Sequence, residues 1–135
     1  MAVPVQWIRE AIFEKKHGMH DYTWWCEVVI PANTEVGVVL QVPSDEVWLE
    51  SGYEFEPEEL DKFQVSHYHD GRPQFRDLLI SESTLSLYYV KHEVVEKVAT
   101  VYIKNNDATR NLRFRMIARY RVIPRELYVK TYQEV

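Results

Sequence analysis

The sequence predicts an all-β chain, a single antiparallel β-sandwich with one short N-terminal helix. Three observations carry that expectation. The last third of the chain alternates strictly: Leu112, Phe114, Met116, Ala118, Tyr120 and Val122 against Arg113, Arg115, Ile117, Arg119 and Arg121. A two-residue period of that length marks a strand with one buried and one charged face. Upstream, from Tyr22 onward, strand-like runs follow one another between turn signals, about seven or eight in all, the pattern of a sandwich or barrel. Finally, no strand alternates with a helix of crossover length, so a parallel α/β sheet is not expected.

The helix is predicted over Gln6 to Lys16. Trp7, Ile8, Ala11 and Ile12 fall at helical spacing opposite Arg9, Glu10, Glu14 and Lys15, with Pro4 before and Gly18 after. About eleven residues of helix are marginal alone and must dock on something. Tyr22 to Ile30 reads as the first strand, broken by Pro31-Ala32-Asn33. Thr34 to Val42 is the second, ended by Pro43-Ser44-Asp45. Glu46 to Glu56 is the third, with Val47, Leu49, Tyr53 and Phe55 opposite Glu46, Trp48, Glu50, Glu54 and Glu56. That phase makes the glutamates a solvated face and Trp48 an exposed aromatic. Phe63 to His69 and Gln74 to Ile80 flank Asp70-Gly71, the strongest short hairpin signal in the chain. Ser81 to Ser86 reads as loop and Leu87 to Val90 as a short strand. Two long strands joined at Asn105-Asn106-Asp107 complete the domain. The expected organisation is an N-terminal arm over 1–21, a sandwich domain over 22–124 and a C-terminal tail over 125–135.

Bulk composition narrows the function. The 135 residues fit one domain with a single core. Four glycines leave no glycine-rich phosphate loop. A net charge of −5 argues against general nucleic-acid binding, despite the arginine stripe. Cys26 is the single cysteine, so no internal disulfide forms, and its apolar surroundings predict an inert thiol. No apolar run reaches the roughly 18 residues of a membrane helix. Met1 to Gly18 lacks the order of a signal peptide, so use without export is expected.

Two clusters bear chemistry. His67 and His69 point the same way from one strand and could share a metal. Metal-binding barrels of the cupin type open their motif with such a pair. Here Gln74 stands near where their carboxylate belongs, their later glycine-proline turn and third histidine are missing, and His92 would have to serve instead. No metal or other cofactor is therefore expected, with His67 and His69 the candidates should one bind. The glutamates of the third strand line one ribbon rather than two walls of a cleft, unlike a glycosidase pair. Their expected role is pairing with Arg113, Arg115, Arg119 and Arg121, within the sheet or across to another chain, at about 0.2–1 kcal/mol per pair. Trp48, as an exposed ring, would suit either a glycan platform or a protein anchor.

The run Ile30-Pro31-Ala32-Asn33-Thr34 with Val36, Val38, Leu40 and Val42, the Pro43 turn, the Asp70-Gly71 hairpin, the strand ending near Asn105-Asn106 and the closing Tyr120-Arg121-Val122-Ile123-Pro124 resemble small jelly-roll-like β-sandwich proteins of virus particles, the decoration or cement class. The resemblance spans roughly Glu27 to Pro124. It implies a non-enzymatic virion protein that binds the major capsid protein or another virion protein and its own copies, often as trimers. Membrane and nucleic-acid partners are not implied, and a non-viral chain would be cytoplasmic. The surfaces expected to meet partners are Trp7, Ile8 and Ile12 of the arm, Trp48, Arg113, Arg115, Arg119 and Arg121 of the sheet, and Tyr128 and Tyr132 of the tail. The alternatives are a carbohydrate-binding module and a cupin-like metal-dependent enzyme.

Overall fold

The computed structural model describes residues 20–128, apart from the side chains of residues 88–93. The predicted N-terminal helix, with Trp7, Ile8 and Ile12, and Tyr132 of the tail lie outside the described residues.

Eight strands follow in chain order: β1 (His20–Ile30), β2 (Thr34–Gln41), β3 (Glu46–Pro57), β4 (Phe63–His69), β5 (Arg72–Leu79), β6 (Leu85–Val95), β7 (Val98–Asn105) and β8 (Leu112–Pro124). A single helical turn, α1 (Arg125–Tyr128), closes the described chain. The strands form two antiparallel four-stranded sheets, ordered β1-β8-β3-β6 and β2-β7-β4-β5. Each sheet thus draws on both halves of the sequence, as a β-sandwich built from long-range pairings does.

The alternation in β8 carries through to the core. Leu112, Phe114, Met116, Ala118, Tyr120 and Val122 are all buried between the sheets. Ile30, Phe55, Phe63, Val65, Val101 and Ile103 meet them from the neighbouring strands. Across this interior Phe63 meets Phe114 edge-on at 5.0 Å, one of the offset aromatic contacts that add to area burial.

The β4–β5 hairpin turns on Asp70 and Gly71, with φ of 51° and 80°. Two central residues at positive φ are what a type I′ turn demands, and glycine reaches that region at little cost. The Asp70 carboxylate then accepts the backbone N–H groups of Glu96, Lys97 and Val98. It therefore fixes a sharp break between β6 and β7, where the sequence reads as one continuous strand from Glu93.

The phase of β3 differs from the expected one. Pairing with β8 runs Trp48 to Val122 and Glu50 to Tyr120, then resumes as Gly52 to Arg119 and Tyr53 to Ala118. β3 spends one extra residue there, at Ser51, a β-bulge. The bulge puts Trp48 and Glu50 on the same inner face as Tyr53 and Phe55. Trp48 is consequently buried, at 7% exposure, and is neither a glycan platform nor an exposed anchor. Its ring packs on Tyr120 and its indole N–H donates to Glu46. Val47 and Leu49 turn outward instead, where Ile123 and Tyr128 cover them in a second small core. Tyr128 is thereby buried by its own sheet rather than offered to a partner.

Candidate functional site

Glu50 arrives from β3 with the bulge, and His67 and His69 arrive from β4 on the facing sheet. All three are buried, at 0%, 0% and 1% exposure. Their ligand atoms lie within 4.8 Å of one another. His67 Nε2 is 3.1 Å from Glu50 Oε2 and 2.7 Å from His69 Nε2, and His69 Nε2 also contacts Glu50 Oε2. The Tyr53 hydroxyl sits 2.5 Å from Glu50 Oε2 and 2.6 Å from His67 Nε2, with the Tyr120 hydroxyl behind it at 3.1 Å.

One tautomer follows from geometry. His67 Nδ1 lies 3.1 Å from the Thr100 carbonyl, which can only accept, so Nδ1 carries a proton and donates it. Burial by itself raises the Glu50 pKa, but hydrogen bonds and charge from His67 and His69 outweigh it and bring the carboxyl down to about 2. Burial, then the neighbouring Tyr120 and Glu50, push the Tyr53 hydroxyl far above the ordinary tyrosine value. Burial and Glu50 likewise raise Tyr120. The site is an ionised carboxylate ringed by imidazoles and phenols, closed to reagents from solvent.

The pair His67 and His69 meets a carboxylate, as a metal motif needs, but from an unexpected direction. Gln74 is half-exposed, and its side-chain amide donates to the Arg72 carbonyl. His92 belongs to the side chains outside the description. Glu50, read from sequence as solvated, supplies the carboxylate because of the bulge. A glycine within a strand pattern often announces a bulge. Gly52 was that signal.

The arginine stripe finds its partners within the sheet. Arg113 lies 3.5 Å from Glu27, Arg115 3.5 Å from Glu56, Arg119 3.1 Å from Glu54 and Arg121 3.4 Å from Asp21. The outer face of the β1–β8–β3 sheet is therefore a charge-balanced ladder. Beside it, on β1, Trp25 and Val29 are 62% and 60% exposed, and Arg115 stacks over the Trp25 ring at 5.7 Å. Adjacent tryptophans on a strand point to opposite faces, so the sequence expects one of Trp24 and Trp25 in the core without deciding which; Trp24 packs against the core and Trp25 is the outward one. Cys26 is half-buried beneath it, and burial raises its thiol pKa, as an inert thiol requires. No described helix is long and apolar enough to cross a membrane.

No protein-family model and no curated protein matches the chain. Solved structures do resemble it. One belongs to the Bacillus endospore appendages described as a novel family of disulfide-linked pili: 18% identity, TM-score 0.47, covering 76% of this chain and 87% of that one. The crystal structure of FLHE matches at 9% identity and TM-score 0.42, over 74% of this chain and 96% of that one. The VP2 subviral particle of infectious bursal disease virus matches at 7% identity and TM-score 0.20, over 84% of this chain and 43% of that one.

Proposed function

We propose that the chain is a non-enzymatic structural protein that assembles with its own copies through the outer face of β1 and β8. The observation that carries this reading is the exposed pair Trp25 and Val29 beside the arginine–carboxylate ladder. Tryptophan and arginine are the residues most enriched where protein surfaces meet. The ladder is charge-balanced, so a second copy meets no net repulsion there, and its paired charges set register more than affinity. The burial of Glu50, His67 and His69 supports the non-enzymatic part, since a substrate has no way to reach them.

Within that class we favour a virion decoration protein. The strand orders β1-β8-β3-β6 and β2-β7-β4-β5 support a jelly-roll reading, an architecture used by viral capsid proteins among others. Fold alone does not decide among its uses. The capsid protein, or another virion protein, would be the partner, with the assembly's own copies as neighbours.

Light scattering on a sizing column tests the assembly. The expected result is a defined oligomer whose mass falls toward the monomer in Trp25→Ala, with an unchanged circular dichroism spectrum. A wild-type chain that stays monomeric across a hundredfold range of concentration overturns the reading.

A further inference from the structure

We propose that Glu50, His67 and His69 form a structural site for a divalent first-row transition cation of the zinc class, with the Tyr53 oxygen as fourth donor, clipping the two sheets together. Four independent features of the interior point to a cation at the centre of this cluster.

The first is a shortage of protons. Five close contacts join the four atoms: Tyr53 to Glu50, Tyr53 to His67, His67 to Glu50, His67 to His69 and His69 to Glu50. Each needs a hydrogen between its partners. Glu50 as a carboxylate brings none, Tyr53 brings one and His69 one. His67 already spends a proton on Thr100 and offers a second only as an imidazolium. These four atoms therefore hold more lone pairs than protons in close company. A cation among them satisfies them together.

The second is the remaining carboxylate oxygen. Glu50 Oε1 is buried and has no hydrogen-bond partner among the described residues. A buried oxygen left so is costly unless something else neutralises the carboxylate. The third is the orientation of His67. Metal-binding histidines characteristically donate their other ring N–H to a carbonyl or carboxylate, as His67 does to Thr100, which fixes the tautomer with Nε2 inward.

The fourth is donor chemistry. Two imidazoles with one carboxylate suit zinc and its neighbours, whereas calcium and magnesium want mainly oxygen ligands. Zinc bonds nitrogen and oxygen at about 2.0–2.2 Å, so a tetrahedral set of donors would stand about 3.3 Å apart. The separations here are shorter, 2.5–3.1 Å for the four pairs given above, so these pairs would open by about 0.2–0.8 Å, and His69 and Glu50 by more, to admit the ion. Full burial leaves no open coordination position for substrate, the mark of a structural rather than a catalytic site. The motif is also not the cupin one, because its carboxylate precedes the histidines and comes from the opposite sheet.

The test is metal stoichiometry of the full chain. Protein unfolded in denaturant with chelator is refolded with excess Zn(II) or Co(II), desalted and assayed by elemental analysis. We expect about one equivalent retained per chain, ligand-field bands of tetrahedral Co(II) in the visible spectrum, and a Tm that falls when the metal is stripped. Glu50→Gln keeps the side-chain shape and is expected to bind at least tenfold more weakly while keeping its β spectrum. Should Glu50→Gln fail to fold, the wild-type stoichiometry decides the matter. A folded wild-type chain that retains neither Zn(II) nor Co(II) overturns the proposal and leaves the cluster a purely protonic network.

Discussion

Glu50 and His67 face each other across the sandwich, Oε2 to Nε2 at 3.1 Å, from different sheets and 17 positions apart in sequence. This contact, with its neighbours Tyr53 and His69, is a polar clasp between the two sheets. Removing one partner leaves the buried polar atoms around it without their hydrogen bonds, at about 1–3 kcal/mol. Glu50→Ala is expected to lose that much, measured by urea unfolding. Combined with His67→Ala, the loss should fall short of the sum of the two single losses, by about 0.5–3 kcal/mol of coupling. Strictly additive losses would mean that the two side chains do not act as a unit.

Phe114 is the test of the apolar part of the core. It is fully buried on β8, 5.8 Å from Phe55 on the adjacent strand and 5.0 Å from Phe63 on the opposite sheet. Truncation removes the contacts to both and leaves a cavity between the sheets. Phe114→Ala is expected to destabilise by about 3–5 kcal/mol in chemical denaturation. A loss below about 1 kcal/mol would mean that the sheets close over the gap, contrary to the packing described.

Arg113 immediately precedes Phe114 and points the other way, 59% exposed, toward a Glu27 that is itself 48% exposed. Water and salt screen such a pair, and two long side chains lose freedom to make it. Arg113→Ala should therefore change stability by less than about 1 kcal/mol. The contrast between neighbours is the energetic form of the two-residue period. If both substitutions cost alike, the assignment of faces along β8 is wrong.

That period is also why so much of the fold was legible. β8 and β4 could be read directly, since their inward residues alternate without interruption, and the Asp70-Gly71 turn announced the β4–β5 hairpin. Two things were hidden. The bulge at Ser51 inverts the phase of β3 midway, so Trp48 and Glu50 are inward although the residues around them alternate as if outward. Val47 and Leu49 are apolar for a second reason, the cover that Ile123 and Tyr128 provide on the outer face, and that made the uninterrupted phase look right. The break between β6 and β7 was hidden because it depends on a carboxylate 26 residues upstream of Glu96, a contact no local pattern records. The His67 and His69 pair was visible in sequence, but its carboxylate was not, because a long-range pairing across sheets has no fixed spacing.

Asp70 makes the hairpin junction sensitive to acid. Burial favours its neutral form, but the N–H groups of Glu96, Val98 and Lys97, and the nearby Arg72, outweigh that and hold its pKa below the ordinary 3.8. Asp107 is depressed in the same sense, first by the Arg110 side chain and then by the N–H groups of Thr109 and Arg110. A carboxyl with a folded pKa below its unfolded one contributes stability that is complete above the unfolded value. That contribution is lost as pH falls through the folded value. The urea midpoint should therefore hold steady above the ordinary carboxylate range and decline from about 3.8 downward. Asp70→Asn still accepts hydrogen bonds through its amide oxygen but no longer titrates. It should lower the midpoint at neutral pH and flatten the decline in acid, since protonation then has less to remove. An acid slope identical to that of the wild type would show that the three N–H bonds to Asp70 do not favour its ionised form, and that the break between β6 and β7 is held by the hairpin backbone instead.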